Sequence, residues 1–248
     1  MLNVHSYESM GTYDGPGLRL VVFLQGCPFK CLYCANPDTI AFSGGTPTDP
    51  DEILRMALNQ KPFFGTKGGV TFSGGEPAAQ AEALVPLVRK LHDNGINVCI
   101  DTNGGVWNSH VEELFGIADL VLLDVKQFNP EKHRNLTGHD NSRTLATAAW
   151  LEEHRRPFWL RYVLVPGISD SEEDMTALCR HFGKDETGKP RYEMIRRVEI
   201  LPYHTLGINK YESLGWEYKL KDTPLNTKEQ LEKAKNIFDR YFDCAVMN

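Results

Sequence analysis

"LRLVVFLQGCPFKCLYC", residues 18–34, opens on a near-continuous apolar run and closes on three cysteines. An apolar run of this length, rich in Val and Leu and stopped by Gly26, reads as a strand buried on both faces. Five later segments have the same form: "GVTFSGG" (69–75), "NVCIDTNG" (97–104), "DLVLLDVK" (119–126), "FWLRYVLVPG" (158–167) and "RVEILPYH" (197–204). Helical patterns fall between and after them, in "DPDEILRMALNQ" (49–60), "EPAAQAEALVPLVRKLHDNG" (76–95), "SRTLATAAWLEEHRR" (142–156) and "TKEQLEKAKNIFDRYF" (227–242). The alternation specifies an α/β fold with a parallel sheet covered on both faces.

Six such units fit a partial (β/α)6 TIM-type barrel; a doubly wound open sheet is the competing architecture. Polar motifs end almost every strand: Gly26/Cys27, Ser73–Glu76, Asp101–Gly104, Asp124/Lys126, Arg161 to Gly167, and His204. Barrels assemble their sites from the C-terminal ends of many strands, whereas an open sheet uses one crevice, so the barrel is favoured. No repeat or linker interrupts the chain, and one domain over 1–248 is expected, with a cysteine loop at 26–36. The charged, turn-rich segment 183–194 reads as an exposed loop.

The formal charge of −6 offers no basic field for nucleic acid or an anionic membrane. The first residues, "MLNVHSYESMG", carry no signal-peptide pattern, and no apolar run is long enough to span a bilayer, so a cytoplasmic protein is expected. Six cysteines in 248 residues are too few for a disulfide scaffold. Cys99, Cys179 and Cys244 lie far apart and read as structural thiols.

Cys27, Cys31 and Cys34 are spaced x3 then x2. As unrelated thiols they would be expected in apolar surroundings, yet they sit in loop-like sequence beside Pro28 and Lys30. A zinc site would need a distant fourth ligand, because no histidine lies between His5 and His92. A Cys31–Cys34 redox pair leaves Cys27 without a role. A four-iron cluster with three protein thiolates meets the spacing best, and it leaves one iron open to an exogenous ligand.

A C-x3-C-x2-C loop after the first strand of a partial barrel resembles the radical S-adenosylmethionine enzymes. The likeness extends over nearly the whole chain, through "SYESMGTYDGPGLRLVVFLQGCPFKCLYCANPDT" (6–39), "GGVTFSGGEP" (68–77), "DTNG" (101–104), "DLVLLDVKQ" (119–127), "RYVLVPGISD" (161–170) and "EILPYHTLG" (199–207). In these stretches the chain is similar to the pyruvate formate-lyase-activating family of glycyl-radical-enzyme activators. That resemblance implies a [4Fe-4S] cluster on Cys27, Cys31 and Cys34, with S-adenosyl-L-methionine chelating the open iron. Reductive cleavage would give a 5′-deoxyadenosyl radical that abstracts hydrogen from a backbone glycine Cα of a partner enzyme, pyruvate formate-lyase fitting best. Other glycyl radical enzymes or a small-molecule substrate remain alternatives, as does a zinc-stabilised binding module.

The resemblance further places Tyr33, Cys34 and Ala35 near the adenine, although histidine is common in the family where Ala35 stands. It places Gly74, Gly75 and Glu76 at the methionine amino group, and Asp124, Val125, Lys126, Arg161 and His204 on the remainder of the cofactor. Val163 and Val165 read as core or as adenine packing. Asp101, Thr102, Asp124 and a carbonyl near Leu122 are implied ligands of a monovalent cation, sodium or potassium. The alternative is that Asp101 caps its loop and Asp124 pairs with Lys126. Asp14, in the glycine-rich "GTYDGPG", is a candidate contact for the partner's peptide at an open rim, or else part of a simple turn. Residues 35–68 hold no cysteine, so the ferredoxin-like insert of some activators is missing. Flavodoxin or ferredoxin is the implied electron donor.

Overall fold

The computed structural model describes residues 1–247; Asn248, the last residue of the expected domain, lies outside them. The strands are β1 (Leu2–Gly11), β2 (Arg19–Leu24), β3 (Thr46–Thr48), β4 (Gly69–Gly74), β5 (Asn97–Thr102), β6 (Leu120–Asp124), β7 (Phe158–Leu164), β8 (Ile195–Pro202) and β9 (Ala245–Met247). The helices are α1 (Pro50–Phe64), α2 (Ala81–Asp93), α3 (Ser109–Ile117), α4 (Pro130–Thr137), α5 (Ser142–Glu153), α6 (Glu172–Phe182), α7 (Ile208–Ser213) and α8 (Lys228–Asp239).

All six expected strands are present, as β2, β4, β5, β6, β7 and β8. The sheet order is β3-β1-β2-β4-β5-β6-β7-β8-β9, which is linear, so the sheet does not close on itself. The pairs β2–β4, β4–β5, β7–β8 and β8–β9 are parallel, as a partial (β/α)6 barrel requires. β1 is an antiparallel addition beside β2 and carries β3 on its other side. Among the described residues no helix is long and apolar enough to cross a membrane.

By its internal contacts the chain divides into two compact units, Met1–Pro28 with Asp38–Leu122, and Phe29–Pro37 with the residues from Leu123 onward. In the first, β2, β4 and β5 are buried on both faces, and Leu20, Val22, Leu24, Phe72, Val98 and Ile100 have no solvent exposure. Helix α1 starts where Asp49 accepts from the Asp51 N–H and Pro50 takes the first position; α2 stops at Asn94, before Gly95 at φ +64°. In the second, Phe158, Leu160, Tyr162, Val198 and Ile200 are fully buried. Helix α8 begins with a reciprocal cap between Thr227 and Gln230.

A buried cation pins the N-terminal ends of β2, β4 and β5. Arg19 has no exposure, and its guanidinium donates to Thr71 Oγ1 (2.5 Å), Pro16 O (2.9 Å), Val70 O (2.8 Å) and Asn97 Oδ1 (3.0 Å). These acceptors are neutral oxygens on three chain segments, the turn before β2, β4 and β5. Truncation in Arg19→Ala therefore strands several acceptors and opens a cavity at once. Urea unfolding of the variant is expected to show a loss of about 3 kcal/mol or more.

Candidate functional site

In the first unit, the chain that leaves β2 is held by main-chain bonds at Gly26 and Cys27. Gly26 N donates to Thr39 O (2.8 Å), Cys27 N to Ile40 O (3.0 Å), and Glu76 N to Gly26 O (2.9 Å). Gly26 sits at φ +99°, a conformation open to glycine, and turns the chain directly into Cys27. Gly74 adopts φ +98°, and a Cβ there would lie 2.5 Å from Leu24 N; these glycines permit main chain to pass against main chain.

Glu76 has no exposure. Its carboxylate accepts from Ala78 N (3.0 Å), Thr102 Oγ1 (2.6 Å) and Asn103 N (2.8 Å). Burial pushes its carboxyl up to about 7, against the lowering effect of those donors. The side chain thus ties the end of β4 to the end of β5 and points into the protein, which leaves its main chain for any contact with a bound amino group. Asp101 Oδ2 accepts from Ser73 Oγ (2.7 Å), and Thr102 Oγ1 accepts from Gly104 N (2.9 Å). Leu122 is fully buried. Asn103, 6% exposed, extends Nδ2 toward Cys27 Sγ at 3.6 Å.

Asp14 lies at the other ends of these strands. Its carbonyl accepts from Thr71 Oγ1 (2.6 Å), and a Cβ on Gly15 would lie 3.1 Å from the Arg19 side chain and 3.2 Å from Cys99 Sγ. The "GTYDGPG" segment accordingly packs at the N-terminal ends of β2 and β4, away from the ends that carry Cys27 and Gly74. A turn accounts for these contacts.

In the second unit, Phe29–Pro37 rests on α4 and α7. The last carbonyls of α4, which have no partner within the helix, accept from the loop: Lys30 N to Thr137 O (2.8 Å) and Leu32 N to Leu136 O (2.9 Å). Tyr211 Oη donates to Cys31 O (3.5 Å), and Lys210 Nζ donates to Asn36 Oδ1 (2.7 Å). Gly207 lies so close that a Cβ there would be 2.8 Å from Cys34 O and 2.9 Å from the Ala35 Cα. Tyr33, Tyr203, Tyr211 and Tyr218 share one buried cluster with Leu136, Val165 and Leu220.

Lys126 and Asp124 form an ion pair at 2.6 Å, their side chains 15% and 16% exposed. Lys126 Nζ also lies 5.7 Å from the centroid of the Tyr33 ring. Burial lowers the Lys126 ammonium, but Asp124 and its other neighbours outweigh that and hold it well above the ordinary lysine value. Burial pushes the Cys31 thiol up to about 12, with Lys126 acting in the opposite sense. Arg161 Nε pairs with Glu199 Oε2 at 3.3 Å, and its carbonyl accepts from Val125 N at 3.0 Å. Val125 and Val165 are fully buried, whereas His204 is exposed, its Nδ1 accepting from Leu206 N at 3.4 Å.

Cys27, Cys31 and Cys34 are half-buried, unbridged thiols. Among the described residues no group of three or more His, Cys, Asp or Glu side chains is gathered around a single ion position. A four-iron cluster takes one thiolate per iron and does not ask for that convergence. Soft sulfur donors on a loop anchored through its main chain suit such a cluster. The Tyr33 Oη, buried and without a hydrogen-bond partner, suits a neighbouring ligand with polar atoms. Sequence reasoning did not single out Asn103, Tyr211 or Lys210, although Asn103 stands inside the "DTNG" motif.

Residues 21–179 match the family described as the Radical SAM superfamily. The chain is 41% identical over 240 residues to a pyruvate formate-lyase-activating enzyme of Staphylococcus epidermidis, covering 94% of this chain and 93% of that protein. It is 40% identical over 241 residues to the pyruvate formate-lyase 1-activating enzyme of Escherichia coli, covering 96% and 95%. Among solved structures, a domain of a pyruvate-formate lyase-activating enzyme from Bacteroides vulgatus superposes with a TM-score of 0.59 at 21% identity, over 73% of this chain and 99% of that one. SuiB of Streptococcus suis bound to S-adenosylmethionine gives a TM-score of 0.68 at 18% identity, over 94% of this chain and 50% of that one. At such identities the two structures speak for the fold.

Proposed function

The chain is a member of the radical S-adenosylmethionine superfamily and, within it, of the pyruvate formate-lyase-activating enzymes, and on that premise we propose that it activates a glycyl radical enzyme, with pyruvate formate-lyase as the partner its kinship favours. The observation that carries this reading is the C-x3-C-x2-C loop, with unbridged thiols and main-chain anchors at Gly26, Cys27, Lys30 and Leu32. A cluster bound by Cys27, Cys31 and Cys34 would supply the electron for reductive cleavage of S-adenosylmethionine, the chemistry by which hydrogen would be taken from a backbone glycine Cα of the partner.

The chain's own residues then divide the work. Cys27, Cys31 and Cys34 hold the irons. Gly74 and Gly75 offer close main-chain approach to the methionine amino group, with Glu76 holding that turn in place. The Lys126 ammonium faces the carboxylate or ribose, and Tyr33 with Ala35 lines the adenine; Val125, Arg161 and His204 complete the cofactor contacts. A monovalent cation on Asp101, Thr102, Asp124 and the Leu122 carbonyl belongs to the same reading, whereas Asp14, at the other ends of the strands, takes no part in it. A flavodoxin or ferredoxin would supply electrons, in a cytoplasm reducing enough to keep the thiols free.

The test is anaerobic reconstitution with iron and sulfide, reduction with dithionite and quantitation of 5′-deoxyadenosine. Formation of the nucleoside at catalytic stoichiometry supports the reading; an iron-loaded, reduced protein that leaves S-adenosylmethionine intact contradicts it. Lys126→Met separates binding from cluster assembly. Truncating one member of a desolvated charge contact costs about 2–5 kcal/mol, so affinity for S-adenosylmethionine is expected to fall by roughly thirtyfold or more by calorimetry, with iron content unchanged.

A further inference from the structure

The turn after β5 presents one amide whose orientation is fixed by its neighbours. Asn103 N donates to Glu76 Oε2 (2.8 Å), and its Oδ1 accepts from Gly105 N (2.8 Å). Because Gly105 N can only donate, the oxygen of the Asn103 amide must face it, and Nδ2 is thereby turned toward Cys27 Sγ at 3.6 Å. Glu76, itself fully buried and bound to Ala78 N and Thr102 Oγ1, fixes the main chain from which this side chain springs. The donor is therefore pre-set, in a nearly buried position, against one of the three thiols.

We propose that Asn103 is a positioning residue that donates a hydrogen bond to the Cys27 thiolate and raises the reduction potential of the iron–sulfur cluster, an inference that rests on the cluster reading above. A hydrogen bond to a ligating sulfur draws charge from it. The reduced cluster carries one more negative charge than the oxidised one, so it gains more from that bond. The device acts at Cys27, which makes the cluster's electronic environment asymmetric by construction. Its consequence is an easier one-electron reduction of the cluster by the donor.

The two informative variants differ in what they keep. Asn103→Asp retains an oxygen for Gly105 N and loses the donor; Asn103→Ala loses both and adds no charge. Reconstituted wild type and variants are first compared for iron and sulfide, then titrated anaerobically by electron paramagnetic resonance without substrate. Expected for Asn103→Ala is an about tenfold lower ratio of reduced to oxidised cluster at a fixed solution potential, equivalent to about 59 mV for one electron. Asn103→Asp should shift further in the same direction. An Asn103→Ala ratio within twofold of wild type overturns the proposal, even if Asn103→Asp shifts, since charge alone would then explain the change. If Asn103→Ala does not assemble a cluster, resonance Raman decides: the deuterium-sensitive part of the wild-type Fe–S(Cys) stretch should be lost in Asn103→Asp, and its retention overturns the proposal. Wild-type protein that takes up no iron overturns the cluster reading itself, and this inference with it.

Discussion

Cys31→Ala is expected to lose the iron–sulfur absorption near 400 nm and to cleave S-adenosylmethionine at least about a thousandfold more slowly, a barrier increase of about 4 kcal/mol. The fold should survive, because the loop's anchors are main-chain bonds from Lys30 and Leu32 to α4 and do not involve the Cys31 sulfur. Circular dichroism and the melting temperature of the cluster-free variant check that separation. The same thiol gives a pH dependence with a defined sign. Burial pushes Cys31 up to about 12, so the cluster-free protein holds a proton there that coordination must displace. Binding that releases a proton strengthens as pH rises, up to the thiol's own value. Cluster retention against a chelator should therefore be greater at pH 8.5 than at pH 6.5, and the reverse order would contradict the thiolate assignment.

Gly75→Ala is expected to cost about 3 kcal/mol of stability and, beyond that, to cut cluster occupancy to below half. An added Cβ would collide with Gly26 O and lie 2.8 Å from Gly26 C and 3.0 Å from Thr39 O. These are main-chain atoms with no rotamer to change, so relief has to come from moving the Gly26 peptide that leads into Cys27. Gly116→Ala is the control. It stands in α3, where its new Cβ would meet nothing within 4 Å beyond its chain neighbours and its own helix backbone, and the helix should gain a few tenths of a kcal/mol to about 1 kcal/mol. Iron content and urea unfolding, measured side by side, separate a displaced loop from a general loss of stability. Wild-type iron content in Gly75→Ala would show that the β4 turn does not set the cysteine loop.

β2, β4, β5 and β6 were legible because burial on both faces leaves near-continuous apolar runs. β7 alternates buried and half-buried residues and β8 carries Arg196, Arg197 and Glu199, and these two were legible from the apolar residues that remain between their charges. β1 was not, although it spans ten residues, because only Leu2, Val4 and Gly11 in it are buried. β3 and β9 have three residues each, too short for any periodicity. α4 was not among the expected helices, although its local signals are present: Asn129 caps it, Pro130 takes the first position and Gly138 closes it at φ +87°. α1 extends past the expected Gln60, through Pro62, to Phe64.

The site divides in the same way. Thiol spacing is written in consecutive residues, so the cysteine loop could be read directly. Glu76 sits in a motif whose glycines suggest a ligand, and only the fold shows its carboxylate turned inward to Thr102 and Asn103. The contact between Asn103 and Cys27 joins residues 76 positions apart. It exists because the β5 turn is tied to the end of β4, a tertiary fact without a local pattern. Asp14 was a candidate peptide contact from its glycine-rich motif alone, and only the fold shows that its segment packs at the N-terminal ends of β2 and β4.

Electron paramagnetic resonance of a glycyl radical enzyme of the formate-lyase type tests the central claim most directly. The reduced, cluster-loaded protein is mixed with S-adenosylmethionine and the partner in the absence of oxygen. The account predicts a glycyl doublet that collapses when the partner is made with α-deuterated glycine, and that does not form with Cys31→Ala. Formation of 5′-deoxyadenosine with no glycyl signal in the partner would contradict it.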